Sequence, residues 1–352
     1  MADDSALMQR ALDLAERGRT TVSPNPLVGC VVARDGRVVG EGWHEHAGGP
    51  HAEVVALEAA GEHAAGATAY TTLEPCAHTG RTGPCAQALI AAGITRVVVA
   101  TADPNPTAAG GAEALRAAGV TVDVGVLEAL ARIQNEVFFH GIAAARPFVV
   151  AKVAASLDGR IAAADGTSQW LTGRQARARV HRLRAQVDAV VVGSGTVLAD
   201  DPQLTVRLDD YQGAQPLRVV LDRRGRVQPF HRVTDDAAPA LLARQPTLVQ
   251  VMDVLWGRGV RSVLVEGGAS VLAAFLAAGM VDRLHVHLAP VLLGESGRPL
   301  VAGPWATTLE GAPRFALRDV ERVGDDVLVT YVPSPPGGGS PADAAVPAKA
   351  SA

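Results

Sequence analysis

His51-Ala52-Glu53, then Leu73-Glu74-Pro75-Cys76, then Cys85, is the stretch on which the first half of this 352-residue chain turns. One imidazole and two thiolates make three protein ligands and leave zinc's fourth tetrahedral position open to water. Zinc lowers the pKa of such a water to about 7. Glu53 stands two residues from His51 at the start of a helix. It is therefore beside the metal without ligating it, where it can move protons. Cys85 also opens a helix, whose N-terminus favours thiolate. A lone His in a helix is usually structural and a lone Cys a small buried hydrophobe. That bland reading is assigned to Cys30, His63, His181 and His231, but the spacing and context of the cluster oppose it.

Working outward, the chain alternates strands and helices. A helix capped by Ser5 carries Leu7, Ala11 and Leu14 on one face. Leu27 to Ala33 and Val38 to Trp43 read as strands joined at Arg34-Asp35-Gly36-Arg37. Helices are expected over His51 to Ala60, Cys85 to Ala92, Ala112 to Ala118 and Glu128 to Phe139. Strands are expected over Ala67 to Leu73, Ile94 to Ala100 and Val120 to Val124. Such alternation means a layered α/β domain. Arg146-Pro147 breaks the pattern, which sets expected domains at 1–145 and 146–332. The second has strands over Phe148 to Ala155, Ala189 to Gly193, Leu217 to Asp222 and Val263 to Val265. Another runs over Leu284 to Leu293, bent at Pro290. Its helices are Gly173 to Val187, with arginines outward, and Ala269 to Ala278. The Pro-, Gly-, Ser- and Ala-rich 333–352 reads as a disordered tail.

Composition sets bounds. Hydrophobic residues are 48% and charged residues 19%, a globular balance. A net charge of −4 gives no case for nucleic acid as partner. No apolar run is long enough for a membrane span, and Met1-Ala2-Asp3-Asp4 lacks the basic start of a secretory signal. A soluble, cytoplasmic protein is expected, and homo-oligomerisation is expected by base rate. Three cysteines do not make a disulfide framework.

His-x-Glu followed by Pro-Cys is the arrangement of zinc deaminases. Nucleoside and nucleic-acid deaminases carry Pro-Cys-x-x-Cys, whereas here eight residues, Ala77 to Pro84, separate the cysteines. With Ser23-Pro24-Asn25-Pro26-Leu27-Val28-Gly29 upstream and Asp103-Pro104-Asn105-Pro106 downstream, this loop resembles the bifunctional riboflavin-biosynthesis deaminase–reductase family. That family's loop reads Glu-Pro-Cys-Ser-His-x-Gly-Lys/Arg-Thr-Pro-Pro-Cys, and this chain departs from it at Ala77 and Gly83. The resemblance implies a cytidine-deaminase-like three-layer domain fused to a dihydrofolate-reductase-like domain. It implies a phosphoribosylamino-pyrimidine substrate, with contacts at Asn25, His44, Arg81, Asp103 and Asn105. Asn suits the edge of a heterocycle and Arg81 suits a phosphate. Yet Asn25 between prolines, and Asp103-Pro104-Asn105-Pro106, are also ordinary turn sequences.

Residues alone say less about the second half. No Gly-x-Gly-x-x-Gly follows a strand. Val192-Gly193-Ser194-Gly195-Thr196 and Val265-Glu266-Gly267-Gly268-Ala269-Ser270 are Gly-rich turns able to present N–H groups to a phosphate, or simply turns. The chain has only two lysines, Lys152 and Lys349, and Lys152 lies in an apolar strand. A lysine there is functional or snorkelling. The resemblance continues through Ala151 to Arg160, Ser168-Gln169-Trp170, Gly195 to Pro202 and Glu266-Gly267-Gly268. It covers about Ala6 to Val332. It implies NADPH contacts at Ala154, Trp170, Thr196, Asp200, Asp222 and Gly268, and substrate contacts at Ser168, Arg184, Leu204, Arg207 and Glu266. Lys152 and Asp200 become the candidates for proton management. Arg184 and Arg207 would clamp a phosphate; otherwise Arg184 is one of a solvated row and Trp170 is core. Arg223 to Trp256 is shorter than the family's segment. The competing readings are a nucleoside or tRNA deaminase with an unrelated second domain, and a deaminase with a silent reductase half.

Overall fold

Strand residues of the first half alternate between two helical layers. Cys30, Val32, Ala69, Val97 and Val99 meet Ala52, Ala56, Leu89 and Leu115 on one side. Val31, Ala33, Tyr70 and Val98 meet Leu7, Met8, Ala11 and Ala131 on the other. This is the period-two pattern of a sheet buried on both faces. The computed structural model describes residues 3–77 and 83–334. Arg81 and residues 335–352 of the expected tail lie outside the described residues. The chain divides into two compact units, Met1–Arg146 and Pro147–Ala352.

The first unit runs α1 (Asp4–Ala15), β1 (Gly29–Arg34), β2 (Arg37–Trp43), α2 (Ala52–Ala60), β3 (Thr68–Thr71), α3 (Cys85–Ala91), β4 (Arg96–Val99), α4 (Gly111–Ala117), β5 (Thr121–Val124), α5 (Glu128–Gln134) and α6 (Glu136–Ala144). Its sheet order is β2-β1-β3-β4-β5. The β1 strand is antiparallel to β2 and β3, and β3 to β5 are parallel. The α2 helix lies close on β2 because the strand offers glycines. A Cβ on Gly42 would stand 2.5 Å from the Ala52 carbonyl oxygen. That contact seats the helix start that carries His51 and Glu53.

Two local expectations change. The cap of α1 is Asp3, not Ser5: the Ser5 N–H donates to the Asp3 carboxylate at 3.0 Å. The single helix expected from Glu128 to Phe139 is two, α5 and α6, meeting at Asn135. The buried Asn135 amide accepts from the Leu27 N–H at 2.7 Å and donates to the Leu27 carbonyl at 2.8 Å. It serves Leu27 as a strand neighbour would, and β1 starts only at Gly29.

The second unit runs β6 (Phe148–Ser156), β7 (Arg160–Ala162), α7 (Arg174–Ala185), β8 (Ala189–Gly193), α8 (Ser194–Asp200), β9 (Leu217–Leu221), β10 (Ala240–Ala243), α9 (Leu248–Gly257), β11 (Ser262–Gly267), α10 (Ala269–Ala277), β12 (Arg283–Ala289), β13 (Arg298–Pro299), β14 (Phe315–Val323) and β15 (Asp326–Pro333). The large sheet has the order β10-β9-β8-β11-β6-β12-β15-β14, parallel as far as β12 and antiparallel beyond. Val149, Ala151, Val191 and Val263 bury one face against Met252 and Leu255 of α9 and Phe275 of α10. On the other face Val190 and Val192 meet Val197 of α8, and Ala176 of α7 packs on Val323 and Leu328. Lys152, next to Ala151, faces that second side. The strand expected to run on to Leu293 ends at Ala289. Beyond it the Asp158 carboxylate accepts the Leu293 and Gly294 N–H groups, the latter at 2.6 Å.

Candidate active sites

Three elements deliver the three side chains expected to bind metal. His51 caps α2, Cys76 follows β3, and Cys85 is the first residue of α3. Their ligand atoms lie within 4.8 Å of one another. His51 Nδ1 is 3.1 Å from Cys85 Sγ and 3.6 Å from Cys76 Sγ. Tetrahedral zinc, with bonds of about 2.3 Å to sulfur and about 2.0 Å to nitrogen, needs N–S edges of roughly 3.6 Å. The donor set and its spacing therefore fit zinc. The hydrogen bond between the thiols holds Cys76 well below its ordinary value, at about 4, and pushes Cys85 up. Cys76 is thus disposed to the thiolate form that binds metals.

Glu53 is 3% exposed, and burial pushes its carboxyl up, against a downward pull from its own backbone and from His51. His44 meets His51 edge-on with ring centroids 5.7 Å apart. Its Nδ1 is 2.9 Å from the Pro50 carbonyl oxygen, and its Nε2 is 2.9 Å from Asn25 Nδ2. A carbonyl can only accept, so Nδ1 carries the proton and the Asn25 amide donates to Nε2. Burial lowers His44, against an upward pull from the Pro50 carbonyl. The Asn25 amide oxygen is thereby turned away from His44. Asp103 and Asn105 share one turn, in which the Asn105 N–H donates to Asp103 Oδ1 at 2.8 Å. Sequence reasoning passed over Glu74, whose carboxylate accepts three N–H groups of that loop and of α4.

In the second unit Lys152, Arg184 and Glu266 meet. Lys152 Nζ is 4.0 Å from Glu266 Oε2. Arg184 reaches Glu266 through Nε and one terminal nitrogen, and its other terminal nitrogen donates to the Thr205 carbonyl at 2.9 Å. Arg184 is therefore turned inward, with 11% of its side chain exposed, which corrects the expectation of arginines outward on this helix. Arg177 stacks on Trp170 at 4.5 Å, and Arg179 pairs with Glu321. Burial pushes Glu266 up, but Arg184 and Lys152 outweigh it and hold the carboxyl at about 2. Burial lowers Lys152, opposed by Glu266. Arg207 is lowered by burial and by the charges of Arg184 and Arg232. Such a cationic neighbourhood favours an anion.

Comparison with known proteins matches each unit to a family. The zinc-binding region of cytidine and deoxycytidylate deaminases matches residues 1–101, and the RibD C-terminal domain matches 147–329. The riboflavin biosynthesis protein RibD of Escherichia coli is 45% identical, over 94% of this chain and 99% of its own. The chain belongs to the RibD family. RibD of Mycobacterium tuberculosis is 45% identical over 92% of this chain and 96% of its own. Two solved RibD-type structures cover 94% of this chain and 99% of their own. That of Acinetobacter baumannii RibD has a TM-score of 0.87 at 42% identity. That of a Thermotoga maritima diaminohydroxyphosphoribosylaminopyrimidine deaminase/5-amino-6-(5-phosphoribosylamino)uracil reductase has 0.88 at 38%. As a RibD chain this protein is a bifunctional deaminase and reductase of riboflavin biosynthesis, with zinc in the first unit and NADPH serving the second.

The other expected RibD reductase positions divide into two kinds. Thr196 Oγ1 accepts the Gly268 N–H at 3.3 Å, joining two of them at the starts of α8 and α10. Asp200 is raised by burial, against the Arg298 charge and a hydrogen bond from Ser168. Trp170 is 68% exposed, which removes its reading as core. Ala154 stands beside His287 across the β6–β12 register. Asp222 is fully buried, and its carboxylate accepts the Arg226 and Val227 N–H groups at 2.9 and 3.0 Å. Leu204 is 2% exposed in an apolar cluster. The side chains of these two are taken up by contacts inside the unit.

Proposed function

We propose that the first unit hydrolyses an amino group from 2,5-diamino-6-(5-phosphoribosylamino)pyrimidin-4-one, and that the second reduces the ribosyl chain of the product to ribityl. One observation carries the reading: Glu53, buried and acid-disposed, stands beside a His51–Cys76–Cys85 cluster with zinc's spacing. Zinc, when bound there, is a Lewis acid that brings the pKa of water to about 7. Glu53 takes a proton as water adds to the amino-bearing ring carbon and returns it to the departing ammonia. The freed Asn25 amide oxygen, and the Asp103–Asn105 turn, read the heterocycle, and His44 holds Asn25 in place. Arg81 supplies charge for the ribose phosphate.

In the second unit NADPH, when bound, supplies the hydride. Lys152, with its proton affinity reduced by burial, delivers a proton to the opening sugar, and Asp200 with Ser168 orients the chain. Glu266 fixes Lys152. Arg207, with the free N–H groups of Arg184, takes the phosphate. Ala154, Trp170, Thr196 and Gly268 border the cofactor. The reading assigns 1–145 to the deaminase and 146–332 to the reductase. It places the protein in the cytoplasm as a homo-oligomer that acts on a small pyrimidine, without nucleic acid. The net charge of −4 supports the absence of nucleic acid. Among the described residues no helix is long and apolar enough to cross a membrane.

Glu53→Gln tests the central role. The variant keeps its zinc, measured by metal analysis, and loses about 10²–10⁴-fold in ammonia release. Loss of zinc together with activity would make Glu53 a support for the ligands instead.

A further inference from the structure

Glu74 lies two residues before Cys76, and its carboxylate binds the loop between β4 and α4. Oε1 accepts the N–H groups of Gly110 at 3.1 Å and Ala112 at 3.0 Å, and Oε2 accepts that of Asp103 at 3.2 Å. The same loop is tied to the Cys76 turn by backbone. The Ala77 N–H donates to the Ala108 carbonyl at 3.1 Å, and the Glu74 N–H donates to the Thr101 carbonyl at 3.0 Å. It is also pressed against that turn: a Cβ on Gly111 would stand 1.7 Å from the Pro75 carbonyl oxygen. Asp103, gripped through its N–H, in turn holds the Asn105 N–H, and Asn105 Oδ1 accepts the Thr107 N–H at 3.1 Å.

We infer that Glu74 is a positioning residue of the deaminase reaction, fixing the loop that bears Asp103 and Asn105 against the turn that bears Cys76. The inference rests on the deaminase reading above and assigns a role to a residue that touches neither metal nor substrate. The chemistry requires a carboxylate. Three N–H donors converge on two oxygens, and an ionised carboxylate accepts at both. A Gln there would turn an NH₂ group toward at least one N–H donor, leaving that donor unpaired. An Asp keeps both acceptors but is one methylene short. The Glu74 side chain thus supplies the three hydrogen bonds that the backbone contacts of this loop do not.

The test uses the zinc-loaded full-length protein. In Glu74→Gln, zinc content stays at the wild-type level and NADPH consumption with the deaminated intermediate is unchanged. Amide hydrogen exchange in the 103–112 segment rises at least tenfold. KM for the diaminopyrimidine ribotide rises about tenfold while kcat changes less than threefold. Adding Asn105→Ala raises KM by less than the product of the two single effects, because both changes loosen one contact. Glu74→Asp, carried through the same measurements in case the Gln variant does not fold, shows the same pattern more weakly. Unchanged exchange and KM, or fully multiplicative effects with Asn105→Ala, overturn the inference. So does a loss confined to zinc content with normal KM per bound zinc. Wild-type protein measured alongside separates the two levels: if it releases no ammonia from this ribotide, the deaminase reading falls and the inference with it.

Discussion

Lys152 shows how much one residue reveals and how much it hides. In a chain so poor in lysine, its place in an apolar strand marked it from sequence alone. Its partner did not show, because Glu266 lies more than a hundred residues away and only the β6–β11 pairing brings them together. Arg184 was misread for a related reason. Helical spacing put it in a row of arginines, and nothing in that row says which one a buried carboxylate will draw inward. Lys152→Ala is expected to lower the rate of NADPH-dependent reduction by at least about 100-fold and to leave ammonia release intact. Steady-state rates of the two half-reactions, measured separately, check this. Reduction at the normal rate would remove Lys152 from the chemistry.

Among the elements, those with strong apolar periodicity were legible, and α2, α3, β6 and β8 lie within a residue or so of their expected bounds. Those defined by tertiary contacts were not. The β14 strand buries only Val323, with Leu317 and Val320 on the surface, so it shows no alternation to read. The break between α5 and α6 depends on an Asn135–Leu27 contact that no local pattern encodes. The β12 strand carries a further consequence. His285 and His287 are buried on the face shared with Lys152, and none of their ring nitrogens meets a hydrogen-bond partner among the described residues. Burial, aided by the charges of Arg283 and Lys152 respectively, lowers them to about 3 and about 4. In the unfolded chain a histidine takes its proton near pH 6.5. Between there and about pH 4 the unfolded state binds more protons, so stability falls as the pH falls. Thermal denaturation of the second unit should show Tm dropping from pH 7 to pH 4.5, with a shallower drop in His285→Phe. A slope unchanged by that substitution would contradict the assignment.

For the whole molecule, two α/β units and a zinc centre could be read from motif and alternation, because ligand chemistry tolerates few spacings. The three residues named from the sequence as metal ligands come together in one cluster. The expected substrate contacts came mainly through resemblance, and Glu74 went unread, because the contacts of Asn25, His44 and Glu74 join segments far apart in sequence. The chain is expected to run two chemistries in sequence on one substrate. Purified zinc-loaded protein, given the diaminopyrimidine ribotide and NADPH, should release ammonia and consume NADPH in equal amounts, with ammonia appearing first. Ammonia without NADPH consumption would contradict the bifunctional reading and leave a deaminase with a silent second half; no ammonia at all would contradict the zinc-deaminase assignment itself.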